Sequence, residues 1–259
     1  MVKIASFTQT YGDKRKELYD LKEYDVPDMT FRRLCDKNYY SFHNCPDEVV
    51  QYVTKTKWFS AAPYIVLRYD NITYPMSLFR TLLTAKQDGV DYLVFLQDDV
   101  FATAKPECYA ELMQWCRSNE FNMINLEATA DELKCDDQPL LMKGEHLDVY
   151  KCTNHLAVSR NPSRWAFDDA PYIAKLDFLL REVYDYTYYQ YPDVWRAEHV
   201  LNSKMMHKLI ERNLVSKKLF HRTNLVGMNT WNRINMWKEV HEWLGLYGFP
   251  PRAPEDQEK

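Results

Sequence analysis

The sequence predicts an α/β domain in which helices flank a mainly parallel central sheet. Three observations point there. Residues Tyr92-Leu93-Val94-Phe95-Leu96 form an unbroken apolar run rich in β-formers, the pattern of a strand buried on both faces. Residues 64–68, 75–89 and 92–96 read as strand, helix and strand, a βαβ unit whose two strands must run parallel. A chain of 259 residues is long enough for one large core, here a single large domain with a C-terminal helical extension.

The elements follow in order. Residues 2–8 are apolar and β-branched and open the chain as a strand; Tyr11-Gly12-Asp13 marks a turn before a charged helix at 14–21. Residues 25–44 are polar and Tyr-rich and carry no clear period. Pro46, Asp47 and Glu48 favour a helix start, predicting a helix over 47–54. In the helix opened by Pro75, Met76, Phe79, Leu82 and Leu83 mark an apolar face, and Gly89 ends it. Beyond residue 100 the reading gives a helix at 107–118, a strand at 123–126, loop or hairpin at 131–148, and a strand at 153–159. A helix at 171–183, a Tyr-rich loop at 184–192 and a helix at 195–210 follow. Trp231, Ile234, Trp237, Val240, Trp243 and Leu244 then recur at helical spacing. The opposite face of that last helix carries Lys238, Glu239, His241 and Glu242, of mixed sign, so packing on the parent domain is expected rather than membrane binding.

Composition narrows the function classes. Apolar residues make up 46% and charged residues 27%, ordinary for a soluble globular protein. Aromatic content is 15%, with 19 Tyr against 6 Gly; such rings fill cores, and they also supply flat faces for sugars, bases or protein partners. The net charge of −4 does not favour nucleic acid. The start, Met1-Val2-Lys3-Ile4-Ala5-Ser6-Phe7, is too short and too quickly polar for a signal peptide to be expected, and no apolar run reaches the ~20 residues of a bilayer span. A cytoplasmic protein with reduced thiols is expected, since the 6 Cys show no CxxC spacing. His43 and Cys45 lack a second nearby pair, so zinc is not expected.

The chemistry centres on Asp98 and Asp99. Ligands of open α/β sheets bind beyond the carboxyl ends of the strands, where this pair falls. Two adjacent anions need a cation or hydrogen-bond donors, and a hard divalent metal shared with a substrate phosphate meets that need. A solvated acidic turn is the alternative.

Three landmarks in order resemble the GT-A glycosyltransferases, especially the family-two-like enzymes that use nucleotide-diphosphate sugars. They are the first strand and turn, Ser6-Phe7-Thr8-Gln9-Thr10-Tyr11; the DxD-like Phe95-Leu96-Gln97-Asp98-Asp99; and Ala197-Glu198-His199-Val200-Leu201, similar to the segment that opens the helix bearing the catalytic base. His221 stands where many members carry a late metal-binding histidine. The resemblance implies a mixed, mainly parallel, Rossmann-like GT-A sheet. Residues 1–225 would form that domain, with 1–100 binding the nucleotide sugar and 101–225 the acceptor, and 226–259 would be a C-terminal amphipathic helix and tail packed on it.

On this resemblance the protein is a metal-dependent glycosyltransferase, a hexosyl- or pentosyltransferase, moving a sugar from a nucleotide-diphosphate donor to an acceptor hydroxyl of a glycan or glycoprotein. Asp99, with His221, would hold Mn2+ or Mg2+; Asp98 would accept from the ribose or reach the ion through water. Thr8, Gln9, Tyr11, Asp70 and Arg80 would line the donor site. Glu198, with Asp193 in reserve, would take the acceptor proton, favouring inversion. Trp195 and the tyrosines of 186–191 are a candidate acceptor platform. The motif is Q-D-D rather than D-x-D, and Ala197 replaces the usual acid before the base. Two other classes compete. A sugar-phosphate nucleotidyltransferase would be expected to carry a Gly-rich phosphate loop, and none is present. A non-catalytic sugar- or nucleotide-binding scaffold could share the fold.

Overall fold

The computed structural model describes residues 1–12, 16–130, 138–153, 171–184 and 211–222. Its centre is a nine-stranded mixed sheet, and its first half is parallel. Strand β1 (Ile4–Tyr11) lies between β2 (Lys37–His43) and β4 (Tyr92–Gln97), and β3 (Ile65–Tyr69) extends the sheet beyond β2. The second half alternates in direction. Strand β9 (Tyr172–Lys175) runs antiparallel to both β4 and β6 (Met123–Thr129). Strand β10 (Arg212–Val215) follows parallel to β6, then β8 (Asp148–Tyr150) and β7 (Leu140–Lys143) as an antiparallel pair. A separate two-stranded ribbon joins β5 (Val100–Ala102) to β11 (Phe220–Arg222).

Helices form where caps and turns allow them. Helix α1 (Lys16–Lys22) leads to α2 (Val26–Leu34), whose N-cap Asp25 accepts from the Asp28 amide. Helix α3 (Asp47–Thr54) follows Pro46, and α4 (Lys57–Ser60) is capped by the Thr56 hydroxyl. Helix α5 (Tyr74–Gln87) is capped by Thr73 and carries Pro75 in its first turn; it ends at Gly89, whose φ of +72° suits glycine. Helix α6 (Pro106–Ser118) starts at Pro106.

Strand β4 is buried on both faces, as its composition predicts. Leu93 and Phe95 pack with Phe7, Leu78, Leu82 and Leu179 on the α5 side. Tyr92, Val94 and Leu96 pack with Phe31, Tyr109, Leu112 and Ile124 on the α6 side. Burying one such aromatic or branched side chain contributes roughly 1.5–3 kcal/mol, so this strand anchors both layers of the core.

The structure revises several local expectations. Residues 25–44, polar by composition, contain both α2 and β2. Polar positions in β2 are sealed by partners, as when Ser6 donates to Asn38 at 2.6 Å. The helix expected at 171–183 opens instead as strand β9. Tyr172, Ile173 and Ala174 are wholly buried between β4 and β6, and Tyr172 stacks on Phe95 with centroids 5.2 Å apart. An apolar run this short does not distinguish helix from strand, and sheet pairing decides it. Only a short helix, α7 (Leu176–Phe178), follows, continuing as a π-helical turn over Leu179–Val183. Helix α5 buries Ser77, Leu78, Thr81, Leu82 and Ala85, a face turned from the one expected, leaving Leu83 exposed. The loop or hairpin expected at 131–148 is met in its described part by the antiparallel β7–β8 hairpin, whose second strand begins at Asp148. The expected strand at 153–159 is represented by a single bridge from Thr153 to Glu211, its remainder lying outside the described residues. The C-terminal helix also lies outside them.

Candidate active site

The β4 strand stops where its side chains change from apolar to acidic. Asp98 and Asp99 form the two-residue turn between β4 and β5 and are only 2% and 4% exposed. A solvated acidic turn does not describe them.

Asp98 is held from inside the domain. Its Oδ2 accepts a hydrogen bond from the Tyr19 hydroxyl at 3.2 Å. That hydroxyl also meets Thr10 Oγ1 and, at 2.8 Å, the Tyr40 hydroxyl, while Thr10 and Tyr40 lie 2.7 Å apart. Burial, with the neighbouring Asp98 charge adding to it, pushes both phenols well above their ordinary range. Both therefore stay neutral, and Tyr19 acts as a donor.

Strand β5 is gripped next. The wholly buried Lys22 ammonium donates to the Val100 carbonyl, and it lies 3.8 Å from Asp25 and 4.6 Å from the Phe101 ring centroid. Asp25 Oδ2 accepts from the Ala102 amide at 3.3 Å. Burial first, then the nearby Asp28 charge, raises the Asp25 carboxyl to about 7 against the opposing pull of Lys22 and two amides. Asp28 in turn holds Arg32 at 3.1 Å and accepts from Trp58 Nε1 at 2.5 Å. Burial alone would weaken the Arg32 charge, but Asp28 outweighs it and raises the guanidinium above its usual value.

The residues singled out in the sequence divide by location. Thr8 is completely enclosed, and its hydroxyl accepts from Arg32 Nη1 at 2.7 Å. In the structure it ties β1 to α2 through Arg32. Gln9, opposite Gln97 in register, donates to Ser77 Oγ at 2.7 Å; Ser77 spends its proton on the Tyr74 carbonyl, so Gln9 Oε1 faces away, buried and without a hydrogen-bond partner. Tyr11, 56% exposed, ends β1 with its ring 5.0 Å from His43. His43 Nε2 lies 2.7 Å from the Ile72 carbonyl, which requires the proton on that nitrogen. Burial outweighs this contact and lowers the pKa of the ring, keeping it neutral. Asp70 is exposed and pairs with Arg68 at 2.9 Å, and Arg68 also pairs with Asp47. Arg80 lies on the exposed face of α5. Glu198 and Asp193, with Trp195 and the 186–191 tyrosines, lie outside the described residues.

His221 sits on β11 opposite Phe101 of β5, so the ribbon that begins after Asp99 also carries it. Its Nδ1 is 3.5 Å from Glu127 Oε1 of β6. Glu127 was not singled out in the sequence, although it shows a weaker form of the signal at Asp98: it is the first carboxylate after a short, mainly apolar strand, Met123-Ile124-Asn125-Leu126. Among the described residues no three His, Cys, Asp or Glu side chains gather as a metal cage. The donor set does suit a hard ion completed by ligands from outside the protein. Carboxylate oxygen and imidazole nitrogen match Mg2+ or Mn2+, which commonly take one or two protein ligands and fill the rest with phosphate oxygens and water.

No family model and no curated relative matches this sequence. Solved structures do. TarS from S. aureus aligns with a TM-score of 0.53 at 11% identity, over 93% of this chain and 39% of that one. Its 1–349 form in complex with UDP-GlcNAc gives 0.53 at 11%, over 93% and 66%. The mannosyltransferase PcManGT from Pyrobaculum calidifontis, in complex with GDP-Man and Mn2+, gives 0.52 at 12%, over 98% and 66%. This chain thus spans between about two fifths and just under two thirds of these proteins. The likeness establishes a GT-A-like nucleotide-sugar transferase fold. Among the described residues no helix is long and apolar enough to cross a membrane.

The raised Asp25 carboxyl predicts a pH signature. A carboxyl near 7 when folded and near ~3.9 when unfolded contributes stability that is fully present below about 4 and lost as pH rises through about 7. Asp25→Asn is destabilised throughout, because its amide cannot accept both backbone hydrogen bonds. Its deficit relative to the parent shrinks from pH 4 to pH 7, by no more than about 4 kcal/mol. Urea unfolding of both proteins across that range measures the change, and a constant deficit contradicts it.

Proposed function

We propose that the protein is a metal-dependent glycosyltransferase that moves a sugar from a nucleoside-diphosphate sugar to a hydroxyl of an acceptor, a glycan or glycoprotein. The observation that carries this reading is the buried Asp98–Asp99 turn at the carboxyl end of β4, in a sheet of the GT-A kind. TarS in complex with UDP-GlcNAc and PcManGT in complex with GDP-Man and Mn2+ support a donor of this class. Residues 1–100 hold the donor and 101–225 the acceptor in this reading, with 226–259 packed on the domain.

Asp99 is the metal ligand in this reading, and Mn2+ or Mg2+, when bound, stabilises the charge that develops on the departing diphosphate. His221 supplies imidazole from β11, its ring held by Glu127 through Nδ1. Asp98, anchored on one oxygen by Tyr19, fixes the turn and steadies the donor. Tyr11 offers an exposed ring beside His43 at the end of β1, suited to stacking on a base. Glu198 takes the proton of the attacking hydroxyl, with Asp193 in reserve, and a base placed to activate that hydroxyl favours direct displacement with inversion.

Two variants test this assignment. Asp99→Ala abolishes metal-dependent donor binding while the thermal unfolding midpoint stays close to the parent's; normal manganese-dependent affinity for nucleotide sugars in that variant sinks the proposal. Glu198→Gln binds donor but transfers at least about a hundredfold more slowly. Transfer at the parent rate moves the base elsewhere, with Asp193 next.

A further inference from the structure

The corner between α1 and α2 reaches the chain at four residues flanking Asp99, namely Asp98, Val100, Phe101 and Ala102. Tyr19 donates to Asp98 at 3.2 Å. Lys22 donates to the Val100 carbonyl and covers the Phe101 ring at 4.6 Å. Asp25 accepts from the Ala102 amide at 3.3 Å. Tyr19 and Lys22 are three residues apart in α1 and so share one helix face. All three side chains are completely or almost completely enclosed.

Stability alone is a poor reason to bury this lysine. Removing an ammonium from water costs several kcal/mol, and its carboxylate partner is 3.8 Å away, a long contact. The near contact is instead with a backbone carbonyl one residue beyond Asp99. The lysine therefore fixes backbone geometry at that point, and its charge lies close to a turn that carries two carboxylates. Phe101, beneath the same ammonium, is the register partner of His221, so the grip extends to the second proposed ligand's strand.

We infer that Tyr19 and Lys22 are positioning residues for the Asp98–Asp99 turn, holding the chain on both sides of Asp99 so that its carboxylate meets a divalent cation without rearranging. This role rests on the reading of Asp99 as the metal ligand. Sites of this kind tolerate misplacements of only about 0.5 Å, so loss of one anchor weakens binding without unfolding the domain. Tyr19→Phe keeps the ring and removes only the donor; Lys22→Met keeps the length and removes the charge.

The test titrates Mn2+ into the intact chain with GDP or UDP present, by calorimetry, alongside thermal unfolding without ligand. Tyr39→Phe is the control. It removes another tyrosine–carboxylate hydrogen bond, to Asp88 at 2.5 Å, near the opposite end of the sheet. Tyr19→Phe and Lys22→Met are expected to weaken metal-dependent nucleotide binding at least about tenfold, while Tyr39→Phe changes stability and leaves affinity at the parent's. Parent-like affinity in folded Tyr19→Phe overturns the positioning role, as does an equal loss in Tyr39→Phe. Tyr19→Phe decides the matter if Lys22→Met does not fold. A parent chain that binds neither nucleotide with Mn2+ overturns the transferase reading itself, a result separate from an unaffected variant.

Discussion

Two carboxylates adjacent in sequence and almost sealed from water constrain everything packed around them. Enclosed polar groups are costly unless hydrogen-bond donors or a cation meet them. The fold offsets this from one side. Tyr19 donates to Asp98, and Lys22 lies beneath the following strand with its charge toward the Val100 carbonyl. In turn, Lys22 requires Asp25, and Asp25 stands beside Asp28 and its partner Arg32, which reaches Ser6 and Thr8 under β1. A chain of alternating buried charges thus ties the turn after β4 to the underside of β1.

Placement of the turn follows from the sheet. Strands β1 and β4 run parallel with Gln9 opposite Gln97, so both end at the same edge. Tyr11 and His43 are register partners at that edge, the first exposed and the second enclosed. The antiparallel β5–β11 ribbon then brings His221 close in register, although it is more than a hundred residues distant in sequence. Nothing local predicts such a meeting; it exists because β6, β10 and β11 pack into one layer with Phe31, Tyr109 and Phe220.

Much of the architecture was legible where a short apolar run of β-formers is bounded by turn residues and preceded by a helix at βαβ spacing, as at 92–96. The aspartates were legible for the same reason, since their position depends only on where that strand stops. What the sequence hid were features made by long-range partners. Strand β2 carried no clear period because its Asn38, Ser41 and His43 are buried by neighbours rather than by their own character. Strand β9 looked helical because its apolar run acquires meaning only between β4 and β6. The contact of Thr8 with Arg32 was hidden because Arg32 lies in a segment with no readable period. Glu127, by contrast, carried a weaker form of the apolar-run-then-carboxylate signal at Asp98 and was open to the same reading.

The central claim is that the Asp98–Asp99 turn couples a divalent cation to a nucleoside diphosphate. The most direct measurement is calorimetric titration of the intact chain with a panel of UDP- and GDP-sugars, with Mn2+ and with the metal chelated. The account predicts that at least one donor binds, and that manganese tightens it by at least about tenfold, or about 1.4 kcal/mol. Donor binding that is indifferent to the metal, or no binding across the panel, would contradict it.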